Sequence, residues 1–227
     1  GLPRLCRRAP GGRARVSTAR HSGRAGRALR KLAEADPAVA SLALWCRHRD
    51  DDATALPAWS DATTIHYGPP FERLTLHEQM GVSAHHVLHI AFRHAGRSRA
   101  LAARLGDRFD AEVYAAAADA LLNEALLLAG HVLPRPCVLA SALLAETRGE
   151  WIGPGEAIAR YDAERLYARL MSPGGGRGGA RPGEEKDGGD PARAVTEHAR
   201  REGHRVDIAP EGEAGRSEER RVGKGVS

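Results

Sequence analysis

Aromatic side chains make up only 4% of the 227 residues. A core built from this chain must therefore draw mainly on Ala, Leu and Val. Cysteine is scarce and unpatterned: Cys6, Cys46 and Cys137 are odd in number and far apart, with no CxxC among them. This argues against a disulfide framework or a cysteine zinc knuckle, and fits a reduced, cytoplasmic protein. No apolar run approaches the ~18 residues that a membrane-spanning helix needs. No continuous apolar h-region of a signal peptide stands near the start. A phosphate loop, a dinucleotide fingerprint and a nucleophile elbow are also missing, so none of those chemistries is indicated.

Acidic residues are missing from one stretch only. Residues 1–31 hold nine Arg and Lys31 and no acid, which leaves 24 basic against 29 acidic side chains, a net −5, in the rest. The overall net charge of +5 therefore belongs to the N-terminal stretch, and it does not assign nucleic-acid binding to the remainder. Residues 1–27, rich in Arg, Gly, Ala and Pro, are expected to be a disordered basic tail. A nucleic-acid arm, a transit peptide or a tag for an anionic surface would each fit. The lack of an initiating Met and the GC-rich type of composition favour a non-native leader, so nucleic acid is not the expected partner.

From Ala28 a helical pattern begins, broken at Asp36-Pro37. That pair reads as an N-cap followed by Pro at the first helical position, predicting helices near 26–34 and 37–47. Arg49-Asp50-Asp51-Asp52 reads as a solvated polar turn, with no EF-hand spacing after it. Thr63–Tyr67 is β-branched and aromatic and predicts a short strand. Thr75 and Glu78 form a capping box that starts a helix ending near 95–96. Residues 97–110 are expected as a loop or short helix. An Ala/Leu helix is predicted from about 111 to 129, with Gly130 at its C-terminal turn, and another helix over 155–171. Eight of the sixteen residues from Gly174 to Gly189 are Gly. This marks 172–193 as a flexible linker. Residues 191–203 could form a brief amphipathic helix, but 194–227 as a whole is expected to be a truncated or disordered tail. Its last stretch, 216–227, resembles a translated adapter sequence.

The chemistry concentrates in Ala84–His94, which carries four histidines. His85 and His89 are four apart, so on a helix they stack on one face. Two neutral imidazoles at that spacing are what a helix offers to a divalent metal such as zinc. A core role for these histidines is the plain alternative, because zinc needs a third ligand and supporting hydrogen bonds. His94 lies about 140° further round a regular helix than His89. It is expected as a supporting or surface residue near the helix end. Asp119 is the better third donor. It is an acid in the apolar half of a helix, where an unpaired carboxylate is costly. Asn123, one turn on, is placed to orient it.

Taken together these residues resemble a bacterial metallopeptidase-like domain that usually precedes a von Willebrand A-like domain. The resemblance runs from about Leu29 to Leu170. It rests on Asp36-Pro37, on Thr63–Tyr67, on His85-x-Val87-Leu88-His89-x-Ala91-x-Arg93-His94, on Ala117-Ala118-Asp119-Ala120-x-x-Asn123-Glu124, and on Gly130-x-x-Leu133-Pro134. It implies an α+β, predominantly helical, zincin-like domain over 28–171, with a short strand before the metal-binding helix. It also implies zinc held by His85 and His89 with Asp119 as third ligand, and a peptide or protein substrate hydrolysed by metal-activated water.

One departure bears on catalysis. The family pattern His-Glu-x-x-His has a general-base Glu where this chain has His86. An imidazole can serve as base near neutral pH, but with a different aim. Glu78 and Glu124 are the other acids that could substitute. The alternative is a catalytically inactive metal-binding or interaction module.

Overall fold

The computed structural model describes residues 22–172 and 190–209. Residues 1–21, 173–189 and 210–227 lie outside the described residues, and with them most of the basic tail, the glycine-rich linker and the adapter-like run.

Helix α1 (Gly26–Ala35) and helix α2 (Pro37–Ala43) meet as the sequence predicts. The Asp36 carboxylate accepts the Val39 N–H at 3.0 Å, and Pro37 opens the second helix. Disorder was expected as far as residue 27, but residues 22–27 are part of the fold. The Ser22 hydroxyl donates to Asp50, while Arg24 pairs with Asp52 and donates to the Tyr67 carbonyl at 3.1 Å. The aspartates expected to be a solvated turn therefore anchor the start of the fold.

Three strands form one sheet, where one strand was expected. They are β1 (Arg47–Asp50), β2 (Ala58–Ser60) and β3 (Thr64–Tyr67), in the order β1-β3-β2. β1 runs parallel to β3, and β2 antiparallel. β1 buries only His48 of its four residues, so it shows no apolar alternation to read.

Helix α3 (Leu76–Ala91) begins at the expected capping box, with Glu78 accepting the Thr75 N–H at 2.8 Å and Thr75 accepting the Glu78 N–H at 3.3 Å. It ends earlier than expected. Arg93 adopts a left-handed conformation (φ 57°) and a new helix, α4 (His94–Leu105), starts at once. Non-glycine residues rarely take that conformation, so nothing in Ile90–Arg93 announces the turn.

Helix α5 (Ala111–Leu128) is buried along most of its length, Ala115 to Ala118 included. Its small side chains allow α3, α6 (Ala140–Arg148), α7 (Pro154–Arg160) and α8 (Ala163–Met171) to pack against it. One helix was expected over 155–171. Two form, because Asp162 caps a fresh start by accepting the Arg165 N–H at 2.8 Å.

Helix α9 (Pro191–Arg201) changes the reading of the expected tail. Its Val195 and Ala199 are fully buried, and it packs on α5, α6 and α8. The amphipathic stripe was visible locally, but the partner surface is not, because three distant helices build it. Beyond α9 the chain runs along the free edge of β2. There Ser60 N–H donates to the Asp207 carbonyl and Ala209 N–H to the Ser60 carbonyl, each at 2.8 Å. The whole is a predominantly helical α+β fold with a strand shortly before the histidine-bearing helix. Among the described residues, no helix is long and apolar enough to cross a membrane.

Candidate metal centre

Helix geometry puts His85 and His89 on one face of α3, and that face meets the middle of α5. The approach is tight. A Cβ on Gly81, one turn before His85, would lie 2.0 Å from the Val132 carbonyl oxygen. Glycine thus lets α3 settle against the segment that follows α5. His85 Nε2 and His89 Nε2 face each other at 2.8 Å. Asp119 Oδ1 lies 3.1 Å from His89 Nε2 and 3.9 Å from His85 Nε2. Asp207, from the segment after α9, brings Oδ2 to 3.9 Å from His85 Nε2. One donor atom from each of these four residues lies within 4.8 Å of the other three.

The donor set fits a cation. Zinc–nitrogen and zinc–oxygen distances of about 2.0–2.2 Å put tetrahedral donors roughly 3.3–3.5 Å apart. The closest contacts in the cluster, 2.8 to 3.9 Å, straddle that spacing. Asp119 Oδ1 is buried and has no hydrogen-bond partner, although its side chain is only 6% exposed. An orphaned buried carboxylate oxygen is expensive unless something positive faces it. Among the described residues, the ion pairs of Asp119 and Asp207 are with histidines alone.

Protonation states suit a metal as well. Burial, then the neighbouring His89, pushes His85 down to about 3, against the pull of Asp119. Burial likewise takes His94 down to about 3 and His86 well below its ordinary value. These rings are neutral, the form in which imidazole ligates. Burial would raise Asp119, but the facing imidazoles of His204 and His89 hold it well below the carboxylate range. Asp207 is pushed well above that range by burial and by the nearby Asp119.

Supporting contacts surround the cluster. The left-handed turn at Arg93 swings His94 back into the interior, where its Nδ1 lies 3.0 Å from His89 Nδ1. With a cation at His89 Nε2, His89 Nδ1–H would donate to His94, fixing the tautomer. His94 is therefore not the surface residue that a continuous helix would make it. Asn123 donates to the Val138 carbonyl at 3.0 Å and stands beside His85, whose proton affinity it raises. His204 Nδ1 lies 3.0 Å from Asp119 Oδ2, with both side chains 6% exposed. Sequence reasoning missed His204 and Asp207. Their only local signal was the apolar stripe of α9, which implied docking but not where.

His86 is not one of the four clustered donors. Its Nδ1 is 3.2 Å from the Ser60 hydroxyl and its Nε2 is 3.7 Å from Asp207 Oδ2. The acids considered as substitutes are committed to structure. Glu78 closes the capping box, and Glu124 accepts from both the backbone N–H and the hydroxyl of Ser141 at the start of α6. A cleft of about 260 Å³ opens at the cluster, and its lining includes His85, His86 and Asp119 together with Leu133, Pro134 and Pro136.

No curated protein and no solved structure shows a significant match to this sequence. A family model does, over residues 20–225 and thus nearly the whole chain, α9 and the segment after it included. With two histidines and two carboxylates gathered at one buried point, the chain belongs to the family described as "Putative metallopeptidase domain".

Proposed function

We propose that this protein binds one divalent cation, zinc by preference, through His85, His89 and Asp119, and that it hydrolyses a peptide bond presented in the cleft above them. The observation that carries the reading is the orphaned Asp119 Oδ1, set between two inward-facing imidazoles. A cation held there would supply Lewis acidity toward a carbonyl oxygen and make a water nucleophilic near neutral pH. The apolar wall of Leu133, Pro134 and Pro136 would accept a side chain of the peptide. A reducing, cytoplasmic setting agrees with the free Cys46 and Cys137. A neighbouring von Willebrand A-like domain and a bacterial origin extend the same proposal through the resemblance in the sequence.

A second reading is a metal-holding module without hydrolysis. It is favoured by one observation. His86, in the general-base position, is buried, depressed in basicity and hydrogen-bonded to Ser60, so it is poorly suited to take a proton from water.

Metal analysis of the purified full chain after reconstitution tests both. About one equivalent of zinc in the wild type and loss of it in His85→Ala support the centre. Less than a tenth of an equivalent in the wild type refutes it. A peptide-library digest with wild type and His86→Glu then separates the readings. Cleavage by the wild type supports hydrolysis, whereas cleavage only by the Glu variant supports the inactive module.

A further inference from the structure

The segment 202–209 brings functional groups into a centre that α3 and α5 would otherwise form alone. Two backbone hydrogen bonds pin it to Ser60 on β2, through the Asp207 carbonyl and the Ala209 N–H on either side of Ile208. This pairing fixes the path of the strap and turns the Asp207 carboxylate inward. The Oδ2 atom then lies 3.9 Å from His85 Nε2, and the other oxygen, Oδ1, is buried without a partner. His86 stands on the far side. With its Nδ1 against the Ser60 hydroxyl, its Nε2 is left facing Asp207 Oδ2 at 3.7 Å.

We infer that Asp207 is the fourth protein ligand of the metal centre, closing the coordination sphere when the 202–209 strap is seated on β2. This rests on the reading of His85, His89 and Asp119 as ligands. Several observations converge on it. The Asp207 donor belongs to the same 4.8 Å cluster as the other three. Two carboxylates share a site in which the described ion-pair partners are histidines only, a charge arrangement that a divalent cation neutralises. Four protein donors also satisfy the tetrahedral preference of zinc without a solvent position, as in closed rather than open sites. His86 then has a positioning role toward Asp207, relayed from Ser60. Hydrolysis at this centre would require Asp207 to withdraw and leave a position for water.

Cobalt(II) serves as the probe, because its absorption reports both the number of ligands and access to the ion. The full 227-residue chain is stripped with a chelator and titrated with cobalt as wild type, Asp207→Asn and His85→Ala, with far-UV circular dichroism to verify folding. The expected result is a tetrahedral-type band in the wild type that azide does not alter. Asp207→Asn should bind cobalt at least ~10-fold more weakly, with a weaker band that azide shifts. Unchanged affinity and band in Asp207→Asn, with binding lost in His85→Ala, would overturn the inference and leave the three-ligand reading standing. A wild type that takes up no cobalt would overturn both. The azide challenge on the unaltered protein needs no variant, and a wild-type band that shifts with azide also refutes closure.

Discussion

Replacing Gly81 by alanine tests the helix approach on which the centre depends. On an isolated helix the change would help, by about 0.5–1 kcal/mol. Here the added Cβ would stand 2.0 Å from the Val132 carbonyl oxygen, 3.0 Å from its carbonyl carbon and 3.1 Å from Leu133 Cδ2. Even a favourable C–H···O contact keeps the two heavy atoms about 3.3 Å apart. The backbones of α3 and Val132 must therefore separate by roughly 1 Å or more, since the two nearest atoms both belong to the Val132 backbone. Overpacking of this kind costs about 1–3 kcal/mol, with more where backbone must move. Taking the upper end of that cost, about 3 kcal/mol, against the helix gain of about 0.5–1 kcal/mol, we expect a net loss of about 2–2.5 kcal/mol. For a chain of this size that is roughly 4–10 °C in Tm.

The control lies in the same molecule. A Cβ on Gly155, in the first turn of α7, meets nothing within 4 Å. Gly155→Ala should be neutral or stabilising by up to about 1 kcal/mol. Urea unfolding of the three proteins reads the difference. Metal titration of Gly81→Ala should also show weaker binding, because His85 sits one turn from the forced gap. If Gly81→Ala unfolds at the same urea concentration as the wild type or a higher one, the close packing of α3 on residues 132–133 is wrong.

Asp119→Asn keeps the shape of the side chain but removes the charge of the proposed third ligand, so metal affinity should fall by more than about 100-fold; calorimetric titration that finds less than a fivefold change would remove Asp119 from the ligand set. Asp36→Ala deletes the cap of α2 and should cost about 1–2 kcal/mol near neutral pH. The hydrogen bond from Val39 N–H, then the one from His131, holds Asp36 below its ordinary value. Its contribution is therefore present above about pH 4 and fades as pH falls through the depressed value, so the gap between variant and wild type in urea should narrow in acid. A gap that widens there would contradict the assignment. Glu124→Ala should destabilise by about 2–4 kcal/mol, because it leaves the Ser141 N–H and hydroxyl at the start of α6 without their acceptor. It should still bind one equivalent of metal, and loss of metal in a folded variant would return Glu124 to the site.

What could be read from the sequence follows the range of the forces involved. The Asp36-Pro37 junction, the Thr75/Glu78 box, the β3 strand and the His85–His89 pair are all set within one turn or one strand, where helix period and capping chemistry apply directly. Shorter or more polar elements escaped. β1 hides a single side chain, and the turn at Arg93 depends on a conformation that no residue type there favours. The larger omission is one of distance along the chain. His204 reaches Asp119, and Asp207 reaches the faces of His85 and His86, across stretches that include the glycine-rich linker. No local pattern encodes such a meeting.

This changes how His86 is understood. Judged by its motif position alone, it is a general base replaced and catalysis put in doubt. In the folded chain that position faces a carboxylate delivered by the C-terminal strap, and the imidazole links it to the Ser60 hydroxyl of β2. A glutamate at residue 86 would set a third carboxylate near Asp207 and Asp119, whose described ion-pair partners are histidines alone. Like charges gathered in a buried site oppose one another. Histidine at 86 and aspartate at 207 are thus physically compatible partners, and the two positions should be varied together to separate the cost of a lost base from the cost of a mismatched strap.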